Sequence, residues 1–166
     1  MLVEVRVESL GLDPTGDVPV VVLREVDGER LLPIWIGHSE AHAIGMEMRK
    51  KESQRPLSAD LLAAVVREMG GEVERIVISR VEANTYFAEM IIRRNGETVS
   101  LDARPSDSIA VALRTDARIL AEEELFADMT LEIAGDEDQH RKGMSADELQ
   151  AHLERLNPQD FGRFNP

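Results

Sequence analysis

The sequence has no cysteine, and that one absence removes disulfide frameworks, thiolate zinc sites and cysteine nucleophiles together. Aromatic residues are scarce, at 4% with a single tryptophan, Trp35, so a core must be built from Val, Ile, Leu and Ala. The longest aliphatic run, Leu61 to Val66, is far short of the roughly 20 residues that span a bilayer. The opening MLVEVRVESLGLD alternates polar and apolar residues and lacks the basic start and apolar block of a signal peptide. A cytoplasmic protein with no membrane partner is therefore expected. Internal repeats and low-complexity tracts are also missing.

At 166 residues there is room for one domain with a proper core and a terminal appendage. The net charge of −13 disfavours broad affinity for phosphate backbones, which repel an acidic protein. Much of the excess lies late, since Glu122 to Asp138 holds eight acids and no base. The rest of the chain is closer to balance, and a local basic patch stays open.

Val3, Val5 and Val7 alternate with Glu4, Arg6 and Glu8, the pattern of a half-buried strand. VPVVVLREV then reaches Asp27-Gly28, a two-residue hairpin signal, and returns as ERLLPIWIG. Pro19 and Pro33 mark edges or bulges in this part of the sheet. HSEAHAIGMEMRKK reads as a helix with Ala41, Ile44, Gly45 and Met48 on one side. A second helix opens near Arg55-Pro56-Leu57-Ser58, with Ser58 as cap and Leu61, Leu62, Val65, Val66 and Met69 as its buried stripe, and Gly70-Gly71 stops it.

From Glu72 to Ala103 the chain reads as a three-stranded meander, EVERIVISRV, TYFAEMIIRR and ETVSLDA. Asn95-Gly96 is the strongest turn signal in the sequence. A type I′ turn there pairs Arg94 with Glu97, which sets Glu89 opposite Asp102 and Met90 opposite Leu101. A buried helix follows from Ser106, its expected cap, through Leu113; then come a short strand at Arg118-Ile119-Leu120 and a short helix in AEEELFADM. GDEDQHRKGM is a polar linker, and Ser145-Ala146-Asp147-Glu148 is a capping box that opens a last helix to about Leu156. The expected fold is α+β, a mixed and largely antiparallel sheet with helices packed on it over residues 1–134, followed by an acidic linker and C-terminal helix over 135–166.

Three stretches, LPIWIGHSEAHAI (Leu32 to Ile44), RPLSADLL (Arg55 to Leu62) and LDARPSDSIAVALR (Leu101 to Arg114), stand in an order and spacing that resembles the bifunctional nuclease family of bacteria and plants, with the acidic linker and capped tail helix similar to actinobacterial members. The resemblance implies DNase and RNase activity, with DNA or RNA as partner. Ala59 departs from it, since many members carry a histidine there.

Phosphodiester hydrolysis needs an activated water and cations to neutralise phosphoryl charge, often divalent ions held by carboxylates. The cross-strand pair Glu89 and Asp102 repels itself unless a metal, a proton or an arginine lies between. Glu89, Asp102 and Asp107 are thus the candidate ligands for Mg²⁺ or Mn²⁺, with Asp102, Glu89 and Arg104 as catalytic candidates. In the competing reading Arg80, Arg93 or Arg104 neutralises the pair or the face is solvated, and Asp107 merely favours the positive end of a helix. Arg55 and Arg104, each beside a proline at a helix mouth, are candidates for substrate phosphate or for structural ion pairs. His38 and His42 have zinc-compatible spacing but no third ligand nearby, and His140 and His152 carry no site signal. Trp35 is either a base-stacking platform or an anchor in a core or subunit interface. Two functions are open: a metal-assisted nuclease, and a non-enzymatic oligomeric binding or regulatory module. A homo-oligomer is expected, because edge strands and Trp35 leave backbone and apolar surface uncovered.

Overall fold

A computed structural model of the chain describes residues 1–13 and 16–126. The expected linker, the tail helix to Leu156, His140, His152 and the domain boundary after residue 134 lie outside the described residues. Seven strands form one mixed sheet: β1 (Leu2–Leu12), β2 (Pro19–Glu25), β3 (Leu31–Trp35), β4 (Gly71–Glu82), β5 (Thr85–Arg94), β6 (Glu97–Ala103) and β7 (Arg118–Glu122), in the order β3-β2-β1-β7-β4-β5-β6. All neighbours are antiparallel except β4 and β7. Helices α1 (His38–Met48), α2 (Ser58–Glu68) and α3 (Pro105–Thr115) pack against it. The architecture is α+β, as expected.

Strand alternation decides which side chains meet the helices. Ile76, Ile78 and Ala88 point into the core, where they meet the fully buried Ile109 and Val111 of α3 and Ile44 of α1. Each large aliphatic group removed from water in this way contributes about 1.5–3 kcal/mol. The central helix is α3, which touches α1, α2, β4, β5 and β7. Ala110 and Ala112 are buried beside its larger side chains, so α3 is enclosed on nearly all sides as its apolar sequence suggests.

The register at the meander agrees with its turn. Asn95 and Gly96 have φ of 52° and 82°, the left-handed pair that a type I′ hairpin requires, and Arg94 pairs with Glu97. Glu89 stands opposite Asp102, and Met90 opposite Leu101.

Several local expectations are corrected. The β2–β3 connection is wider than Asp27-Gly28, because the Glu25 N–H donates to the Arg30 carbonyl and Arg30 grips the Glu25 carboxylate at 2.8 and 2.9 Å. Of the second and third strands only β3 is an edge; β2 lies inside, between β1 and β3. Neither serine caps a helix. Arg104 takes the N-cap position of α3, since Pro105 forces the residue before it into an extended conformation, ψ 144°. Leu57 precedes α2, and the Asp60 carboxylate accepts its N–H at 2.7 Å. Of the stripe assigned to α2 only Val66 packs inward, together with Ala59 and Ala63, whereas Leu61, Leu62, Val65 and Met69 are exposed. In the described part of AEEELFADM the chain makes one 3₁₀ turn, Glu123–Phe126.

Candidate functional site

The end of β6 and the start of α3 face the first turns of α1 and α2 across a cleft of about 770 Å³. Glu40 and His42 enter it from α1, Ser58 and Ala59 from α2, and Arg104 and Asp107 from the β6–α3 junction. Apart from Met90 of β5, every lining residue comes from one of the three stretches singled out in the sequence. The volume is in the usual range for ligand sites, roughly 300–1,000 Å³.

Arg104 is the electrostatic centre. Its Nε donates to Asp107 Oδ2 at 2.6 Å, and its Nη2 lies 2.9 Å from Asp107 Oδ1 and 3.0 Å from Glu40 Oε1. Two carboxylates thus converge on a single guanidinium nitrogen. The bond from Asp107, helped by Glu40 and opposed by partial burial, raises the Arg104 pKa and holds the group cationic. Nη1 makes no bond among the described residues, and the side chain is 65% exposed, so Arg104 has a donor left to offer.

Behind the cleft a second arginine fixes the walls. Arg114 is almost fully buried at the end of α3; its Nε donates to Asp60 Oδ1 on α2, Nη2 to the Ala43 carbonyl on α1 at 3.0 Å, and Nη1 to Ala110 at 2.8 Å. One guanidinium joins all three helices. Burial alone would raise the Asp60 pKa, but Arg114 and the Leu57 N–H overcome it and hold the carboxyl below its ordinary value. That network gives the short α2 a fixed place despite its few buried side chains.

The sequence-derived candidates divide. Asp102, Arg104 and Asp107 border the cleft. Glu89 does not: alternation from the buried Ala88 and Met90 turns it to the sheet face away from the helices, where Ser100 Oγ donates to it at 2.7 Å. Among the described residues none of the three arginines considered for Asp102 pairs with it: Arg104 binds Asp107 and Glu40, while Arg80 and Arg93 pair with Glu82 and Glu72. Arg55 is exposed ahead of α2 and outside the cleft lining. Among the described residues no three His, Asp or Glu side chains lie close enough to enclose a metal ion. In the sequence Glu40 and His42 stand out only through the HSEAHAI stretch and the zinc-compatible spacing of His38 and His42; their place in this cleft depends on α1 docking against α3, which local patterning does not reveal.

Residues 21–134 match the profile described as the bifunctional nuclease domain. An uncharacterized protein of Mycobacterium tuberculosis is 36% identical over 162 residues, which cover 95% of this chain and 97% of that protein. Bifunctional nuclease 2 of Oryza sativa and bifunctional nuclease 1 of Arabidopsis thaliana are each 32% identical over 100 residues, 58% of this chain but 31% of theirs.

Proposed function

Because the chain belongs to the bifunctional nuclease domain family, we propose that it hydrolyses phosphodiester bonds of DNA or RNA in the cleft around Arg104. The observation that carries this reading is the convergence of all three motif stretches on one cavity with a partly unengaged guanidinium at its centre. A guanidinium fork suits phosphate oxygens, so Arg104 binds and orients the scissile group through Nη1. His42 on the α1 wall supplies an imidazole, the usual general base near neutral pH, to take a proton from the attacking water.

Mg²⁺ or Mn²⁺ assistance belongs to the same proposal, with a changed donor set. Mg²⁺ is commonly held by one or two carboxylates together with substrate phosphate, so three protein ligands are not required. Glu40 and Asp107, which already share one cationic nitrogen, fit that role; Asp102 borders the cleft but, paired with Glu89, shares the sheet face that Glu89 occupies. Glu89 does not fit. A bound ion would neutralise phosphoryl charge and acidify water.

The test is cleavage of single- and double-stranded DNA and RNA by highly purified protein, with Mg²⁺, Mn²⁺ or chelator. Arg104→Met and His42→Gln, purified identically, are the controls. Loss of activity by about 10²-fold or more in His42→Gln is expected for a proton-transfer residue. Equal activity in wild type and both variants would trace the signal to a contaminant and end the proposal.

The second reading, a non-enzymatic oligomeric module, draws on a different observation. Leu61 and Met69 of α2 are both 59% exposed, and Val99 and Leu101 of the edge strand β6 are also exposed. Apolar surface on both layers at one end of the sheet suits a second copy of this chain.

A further inference from the structure

A second cleft, of about 780 Å³, opens on the other side of Arg104. It lies between the end of β3, the β4–β5 hairpin tip and the start of α3, and Arg104 and Ser106 line both clefts. Trp35 and Tyr86 supply its aromatic surface, and Asn84 and Thr85 its polar groups. Ile34 and Ile36 on either side of Trp35 are buried, so alternation turns the indole outward, 46% exposed. An indole is a costly group to leave in water, and here it faces a cavity whose far wall carries a cationic side chain.

We propose that this second cleft binds an unpaired nucleotide, its base stacked on Trp35 and its phosphate reaching Arg104, so that a single strand threads from one cleft into the other. The inference rests on the nuclease reading and narrows it to strands with an accessible base. Base–aromatic stacking needs only a π-face and is tolerant of sequence, which suits action on both DNA and RNA. A duplex keeps its bases stacked inside and cannot present one to Trp35. The acidic character of the chain also favours this mode, because stacking supplies affinity that phosphate contacts alone cannot provide here.

Trp35 is the sole tryptophan, so its fluorescence reports this cleft directly. The full chain is titrated in chelator with a single-stranded deoxyadenosine oligonucleotide, its duplex, and an abasic strand of equal length, following both anisotropy of the labelled strand and Trp35 emission. The single strand should quench Trp35, while duplex and abasic strand leave emission unchanged. Trp35→Leu should weaken single-strand binding by about 5- to 150-fold, the equivalent of one stacked base, and spare duplex binding. If the single strand binds and Trp35 emission does not move, or if the duplex quenches equally, the second cleft is not a base site and the nuclease reading survives. If no oligonucleotide binds at all, both proposals fall.

Discussion

Arg114 offers the sharpest test of how the cleft is held. Replacing it with methionine keeps the aliphatic stem but removes donors to Asp60, Ala43 and Ala110, on all three helices. Breaking a buried ion pair by deleting one partner typically costs about 3–5 kcal/mol, since the remaining charge is stranded. Asp60 is 35% exposed, so water relieves part of that penalty and the low end applies, about 3 kcal/mol. For a domain of this size the loss corresponds to a fall in Tm of roughly 10–15 °C. Urea unfolding at neutral pH measures it, together with Asp60→Asn and the double variant. Coupled partners should give a double variant less destabilised than the sum of the singles, by about 1–3 kcal/mol. A loss under about 1 kcal/mol for Arg114→Met, or strict additivity, would refute the idea that this guanidinium holds the three helices together.

The Asp60 pKa lies below its unfolded value, so its contribution is complete above the unfolded value near 4 and fades as pH falls through the folded one. Wild type should therefore lose stability steeply below about pH 4, and Asp60→Asn should flatten that part of the profile; identical slopes would remove Asp60 as a source of acid sensitivity. Substituting Leu61 and Val65 of α2 with serine should leave the melting temperature within a few degrees while shifting an oligomer toward monomer by light scattering, because both side chains face away from the core. A wild-type monomer at micromolar concentration would discard the self-association reading instead.

The sheet was largely legible because its punctuation is chemical. Asn95-Gly96 admits one tight turn, and from it the register of β5 on β6 follows residue by residue. The buried face of α2 differs from its periodicity for a physical reason. The helix has two faces that periodicity accepts, and the small one wins: the end of α2 runs so near the sheet that a side chain on Gly71 would meet the Val66 carbonyl and Ile92 at 3.1 Å. Ala59 and Ala63 permit that approach; the leucines do not. Likewise Glu89 and Asp102 stand in the register that the turn dictates, and the contact of Arg104 with Asp107 spans only three residues, yet Glu40 reaches Arg104 only because α1 docks against α3. Residues distant in sequence leave no local trace of such a meeting.

The place of β7 in the sheet bears on how the chain reaches this state. Strands β1–β3 form one hairpin-linked ribbon and β4–β6 another, and among the described residues the two ribbons do not pair with each other; β1 of one and β4 of the other both pair with β7, residues 118–122. During synthesis both ribbons leave the ribosome well before the strand that joins them. Until then each exposes a raw inner edge, β1 on one side and β4 on the other, with the cleft walls unassembled. Completion is a late, long-range event, since Leu2 must meet Glu122 across nearly the whole described chain. Such closure makes folding slow relative to a helical bundle of equal size and leaves a window in which pairing of the wrong edges competes. Ribosome-arrested chains ending before Arg118 should therefore remain sensitive to protease at the α1–α2 connection, whereas chains with β7 outside the exit tunnel should gain protection in one step.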